Sequence, residues 1–237
     1  LIDSGGKSYL SFDGTNQLSV NLAGHILDDP SGEQMTVFTV VKPKGGYYIV
    51  STGGQTSARG YALSFQEGSQ FSAIRDSVGT NEIGISGSLS LNNSHLVTDV
   101  YKGSVNDYSV RVNDTTYTQS GYGSPNPDNQ HDLTFGRPNN KFLYFGEFDL
   151  AEFIVINSTD PAVVREINVY LSNKWGLTAT VDSDSDGVVD ASDFAPSDPN
   201  VQYDLPDFST DKLGANDDEL DAKLALWLDA ENINGLE

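Results

Sequence analysis

From residue 1 to residue 156 the chain runs in short apolar stretches, rich in β-branched and aromatic residues and broken by Gly, Asn, Asp, Ser and Pro. Several stretches alternate apolar and polar positions, the period of a strand with one buried face. The pattern predicts strands at Tyr9–Asp13, Thr36–Val41, Tyr47–Ser51, Tyr61–Gln66, Gln70–Arg75, Asn81–Ser86, His95–Lys102, Tyr108–Val112, Leu133–Phe135 and Phe148–Ile156. Turn pairs such as Asp13-Gly14, Gly45-Gly46 and Asn113-Asp114 fall between them. Many short strands joined this way predict an all-β, two-sheet antiparallel jelly-roll sandwich.

The period changes once. Val164, Ile167, Leu171 and Trp175 recur at helical spacing, after Asp160 as a cap and Pro161 in the first turn, and before Gly176 as a stop. This predicts one C-terminal helix, with Trp175 as a core anchor rather than a sugar platform.

Beyond Thr178 the composition shifts. Sixteen of the 34 acidic residues lie there, opposed by Lys212 and Lys223 alone. We therefore divide the chain into 1–178, the jelly roll; 179–210, an acidic linker; and 211–237, an acidic segment that starts a next module or supplies an exchanged strand. The net charge of -21 argues against nucleic-acid partners, which need a basic face. No apolar run reaches membrane-spanning length, so no membrane insertion is expected. With no cysteine, thiolate zinc sites are excluded, and three scattered histidines (His25, His95, His131) argue against a histidine cluster.

The acidic linker contains the sharpest chemical signal. Asp182 to Asp193 reads DSDSDGVVDASD, with carboxylates at loop positions 1, 3, 5, 9 and 12 and glycine at 6. That is the oxygen-ligand spacing of a twelve-residue calcium loop. The expected ligands of Ca2+ are Asp182, Asp184, Asp186, the Val188 carbonyl, Asp190 (directly or through water) and Asp193.

Three segments carry a family resemblance. Ser8–Val20 and Thr36–Gly54 resemble the opening, and Phe145–Leu177 the closing strand, helix and tryptophan-glycine end, of bacterial laminin-G-like, concanavalin A-like jelly-roll modules. The resemblance covers about residues 8 to 177. It implies a curved sheet face and, across that superfamily, carbohydrate binding, protein binding or glycan cleavage. The segment DSDSDGVVDASDFAPSDPN resembles a thrombospondin type 3 or dockerin-like calcium repeat, in which ions order a floppy acidic connector. A single loop argues against a cohesin-binding dockerin. Leu224–Glu237 resembles the first strand of another such module. Either a second copy begins near residue 217, or residues 224–229 pair with a neighbouring chain or fold back on their own sheet.

One run resembles catalytic machinery. Glu147-Phe148-Asp149-Leu150-Ala151-Glu152 resembles the E-x-D-x-x-E strand of laminarinase-type glycoside hydrolases, which implies Glu147 as nucleophile, Asp149 as assistant and Glu152 as acid/base of a retaining reaction. The same stretch also fits the closing strand of the non-catalytic modules. In an unbulged strand Glu152 faces away from Glu147 and Asp149. No enzyme activity is expected. Candidate sugar contacts are Tyr47, Tyr48, Arg59, Arg137 and Asn139, since glycan sites combine an aromatic face with planar polar groups.

The sequence thus points to an extracellular or cell-surface structural and adhesion module of a modular bacterial surface protein, with a connector stiffened by calcium. Its partners are glycans or surface proteins, with self-association through residues 224–229. The alternative is a lectin-like carbohydrate-binding module, and after it a glycan hydrolase.

Overall fold

The computed structural model describes residues 2–4, 6–20, 34–51, 60–66, 69–75, 84–88, 90–102, 108–119, 132–137 and 145–201. Among them are thirteen strands and one helix. In chain order the strands are β1 (Ile2–Ser4), β2 (Lys7–Asp13), β3 (Leu18–Val20), β4 (Met35–Gly46), β5 (Tyr48–Ser51), β6 (Gly60–Gln66), β7 (Ser69–Arg75), β8 (Gly84–Ser88), β9 (His95–Tyr101), β10 (Tyr108–Val112), β11 (Thr115–Gln119), β12 (Leu133–Phe135) and β13 (Gly146–Ile156). The helix α1 is Pro161–Trp175. A seven-stranded sheet runs β1-β2-β13-β4-β9-β10-β11 and a six-stranded sheet runs β3-β12-β5-β6-β7-β8, with antiparallel pairing throughout.

Alternation along the strands makes two apolar faces on the larger sheet. One, with Phe12, Val37, Val97, Val110 and Phe148, meets Ile49, Tyr61, Leu63 and Phe135 of the smaller sheet in the main core. Phe12 stacks on Phe148 at 4.5 Å between ring centroids. A carboxylate lies in this core: Asp99 accepts from Tyr61 Oη at 2.6 Å and from Tyr108 Oη at 2.8 Å, which joins the two sheets. Burying a charge is tolerable only with such donors.

The opposite face carries Phe38, Val40 and Leu96, and α1 covers it with Val164 and Leu171. Asp160 caps the helix by accepting from Ala162 N at 2.9 Å, and Gly176, at φ 71°, ends it. Leu177 N then donates back to Ser172 O at 2.8 Å, which turns the chain so that Leu177 and Val181 join the same cluster. The buried side of α1 is more polar than the spacing predicts. Asn168 and Ser172 are fully buried, whereas Ile167 and Trp175 are half-buried at its margin. Thr98 Oγ1 donates to Asn168 Oδ1 at 2.7 Å, so the helix is keyed to β9 by a buried hydrogen bond.

Two bulges shape the β4–β13 pair, one with Lys44 as the extra residue in β4 and one with Ala151 as the extra residue in β13. The register of β13 against β4 shifts between Glu147 and Phe148 and again between Leu150 and Glu152. The first shift admits Pro43 to an otherwise regular strand, a usual place for proline.

Candidate calcium site

Residues 178–201 run on from the helix, and the compact unit that includes them spans Leu1–Tyr203. Hydrogen bonds fasten the segment to the sandwich. Arg111 Nη1 donates to Asp182 O and to Ser185 Oγ, each at 2.8 Å. Arg165 Nε donates to Ser197 O at 2.9 Å. Within the segment, Asp190 N donates to Val181 O at 2.8 Å and Ala191 N to Thr178 O at 2.9 Å.

The turn itself is built from aspartate side chains that accept from nearby backbone N–H groups. Asp182 accepts from Ser185 N at 2.7 Å and from Gly187 N at 3.0 Å. Asp184 Oδ1 accepts from Asp186 N, Asp186 Oδ1 from Val188 N and Asp193 Oδ1 from Ala195 N. Gly187 is at φ 100°, a backbone that L side chains avoid, and the chain reverses there. These bonds draw the carboxylates of Asp182, Asp184 and Asp186 together, with one oxygen of each lying within 4.8 Å of the others.

That convergence is costly without a cation. Asp184 is 8 % exposed, and its Oδ2 is buried without a hydrogen-bond partner, as is Asp193 Oδ2. Burial pushes the Asp184 carboxyl up to about 6, reinforced by the negative charges of Asp186, Asp193 and Asp182. Burial also raises Asp193, with Asp186, Asp190 and Asp182 adding to the effect. Buried carboxylate oxygens that lack donors, on a loop otherwise rich in them, are what an oxygen-coordinated divalent ion needs.

Asp190 sits differently. Its Oδ1 accepts from Ser183 N and its Oδ2 from Ser183 Oγ, both at 2.8 Å. Its two oxygens thus brace the loop, and the tight carboxylate cluster is Asp182, Asp184 and Asp186. Sequence reasoning misses Arg111, 71 residues from Asp182 in the chain, as the strut that carries the loop. Burial lowers the pKa of its guanidinium, and the negative charges of Asp182, Asp190 and Asp184 oppose that effect.

The E-x-D-x-x-E run lies elsewhere on the same sheet. The second bulge puts Glu152 on the face of Asp149, since Asp149 pairs with Lys42 and Glu152 with Val40. This departs from the unbulged expectation, yet two of the carboxylates hold structure. Asp149 is paired with Lys44. Glu152 Oε2 accepts from Trp175 Nε1 at 2.7 Å and from Lys174 Nζ at 2.8 Å. Trp175 is thereby pinned to β13, with Tyr9 packed on its ring at 5.2 Å. Glu152→Ala would leave the indole N–H without its acceptor; we expect a loss of about 1–3 kcal/mol, measured by urea unfolding, and an unchanged midpoint would show that the bond contributes nothing.

Of the candidate sugar contacts, Tyr47 and Tyr48 are half-buried at the start of β5, and Arg137 lies over the Phe145 ring at 5.7 Å. Arg59 and Asn139 lie outside the described residues, as do residues 224–229. No described helix is long and apolar enough to cross a membrane.

No protein-family model matches the chain, and no curated protein matches it in sequence. Solved structures do share its fold. The CBM40 module of the Ruminococcus gnavus IT-sialidase, bound to α2,3-sialyllactose, aligns with TM-score 0.53 at 11 % identity over 64 % of this chain and 91 % of that one. The binding domain of Paraclostridial Mosquitocidal Protein 1 aligns with TM-score 0.55 at 14 % identity over 72 % of this chain and 45 % of that one. The fold is a β-sandwich of the jelly-roll kind seen in carbohydrate-binding modules.

Proposed function

We propose that this chain is an extracellular glycan-binding module whose jelly roll carries a calcium loop clamped to its flank. The observation that carries the calcium half is Asp184: a buried carboxylate oxygen without a donor, facing Asp182 and Asp186. Asp182, Asp184, Asp186, the Val188 carbonyl and Asp193 would hold the ion, with Asp190 and Ser183 as bracing. The ion would supply positive charge where the chain has crowded its acids. The glycan half is supported by the shared architecture with a module solved with a sialylated sugar. That likeness favours sugar binding over a purely structural adhesion role. The laminin-G-like and thrombospondin-like resemblances are compatible with the same reading.

A glycan array probed with the full chain, in millimolar calcium and in chelator, tests the proposal. We expect retention on a defined subset of glycans in calcium. A calcium-loaded chain that is retained nowhere rejects the glycan half, and retention indifferent to chelator removes the ion from the binding function.

A further inference from the structure

A cleft of about 190 Å³ opens on the outer face of the seven-stranded sheet, between β9–β11, the first turn of α1 and Ser183–Ser185 of the loop. Sites that bury a drug-sized ligand run to roughly 300–1,000 Å³, so this one has room for a terminal sugar residue rather than a chain. Its charge is unusual for this protein. Of only 13 basic residues in a chain of net charge -21, three line the cleft: Lys102, Arg111 and Arg165.

Their donors are largely uncommitted. Lys102 is exposed and has no hydrogen-bond or ion-pair partner among the described residues. Arg111 gives only Nη1 to the loop, and Arg165 only Nε to Ser197 O. Arg111 stands directly between Thr98 of β9 and Thr116 of β11 in register, which fixes its stem. Val100 and Val164 give the cleft an apolar floor, and Thr116 and Thr159 also line it, the Thr159 hydroxyl donating to Gln34 Oε1 at 3.0 Å.

We propose that this cleft seats the carboxylate-bearing terminal residue of an acidic glycan, an assignment that rests on the glycan-binding reading above. A guanidinium edge matches a planar carboxylate with two parallel N–H donors. The apolar floor suits the C–H face of a sugar ring, and the threonines suit its hydroxyls. The same wall carries Asp184. Bare, its carboxylate repels an anionic ligand; neutralised by calcium, it does not. Calcium therefore raises affinity for the acidic sugar, and the sugar raises affinity for calcium by the same factor.

The test is calorimetry on the full chain with α2,3-sialyllactose, trigalacturonate, neutral lactose and an aspartate-rich peptide, in calcium and in chelator. Calcium binding is titrated first. We expect an acidic sugar to bind in calcium, lactose and the peptide not to, and chelator to weaken binding about tenfold. The Lys102→Ala, Thr116→Val double variant, which leaves the Arg111 and Arg165 bonds to the loop segment in place, is expected to lose about tenfold in sugar affinity while binding calcium as the parent does. Equal binding of lactose, tighter binding of the peptide, or a double variant of undiminished affinity overturns the assignment. A double variant that still binds glycans at parental strength leaves the glycan-binding module standing and moves its site elsewhere. Acidic-sugar binding lost in the variant but equal with and without calcium supports the seat and overturns the coupling.

Discussion

Replacing Asp184 and Asp186 together with alanine is expected to abolish calcium binding by the proposed site and any protection that calcium gives to residues 180–200 against proteases. The expectation follows from the convergence of three carboxylates within 4.8 Å. An ion at about 100 times its dissociation constant stabilises the ordered state by about 2.7 kcal/mol, and extracellular calcium modules bind at roughly 10⁻⁴–10⁻³ M. For a chain of this size that is a rise of roughly 5–10 °C in melting temperature on adding calcium, absent from the double variant. Equal protection of parent and variant would show that the ligands are wrongly assigned.

The same experiment has a pH signature. In ion-free protein Asp184 holds its proton up to about 6, against 3.8 ordinarily, because burial disfavours its charge. The unfolded chain gives up that proton first. The Asp184 contribution therefore disfavours folding as pH rises from 3.8 through about 6, and an ion bound by this carboxylate would have to displace a proton below that upper limit. Calcium affinity is expected to fall on acidification through pH 6. His95 acts in the opposite sense: burial lowers its pKa below 6.5, so its contribution favours the fold above that value and is lost on acidification. A parallel titration of Asp184→Asn, which lacks the carboxylate, separates the two.

Leu171→Ala is expected to cost about 2–5 kcal/mol. Leu171 is fully buried where α1 meets Phe38, Val40 and Leu96, in the cluster that also takes in Leu177 and Val181. The cavity falls between the sheet and the root of the loop at residues 182–193, so melting temperature should drop by roughly 4–20 °C. Proteolysis of residues 180–200 should also quicken, even in calcium. A drop in melting temperature with the loop as protected as before would mean that the loop holds its place without the helix.

Strong alternation makes a strand legible in the amino-acid sequence. Tyr108–Val112 and Leu133–Phe135 are read to the residue. Strands β1, β3 and β11 are not, because they are short or polar; Thr115–Gln119 has one apolar side chain, and pairing with β10 across the Asn113-Asp114 turn makes it a strand. Strand β4 continues past Val41 to Gly46 because a bulge accommodates Pro43, and no local pattern announces a bulge. The convergence of Asp182, Asp184 and Asp186 is legible as spacing, since these carboxylates are neighbours along the chain. Asp190's preference for Ser183 over the cluster is not, nor is Arg111, because those depend on which distant strand the loop lies against. The cleft is hidden for the same reason, being assembled from two hairpins, a helix terminus and a loop.

The place of β13 has a consequence for biosynthesis. It lies between β2 and β4 in the larger sheet, although the chain makes it long after both. While the polypeptide is emerging, the edges of those two early strands stay open until residue 156 is out. Assembly of the sandwich is therefore a late event on the nascent chain, waiting on its most distant partner, as expected where non-local pairings dominate. Until Ile156 has emerged, the β2 and β4 edges that flank β13 have no partner on that side, and the larger sheet cannot close.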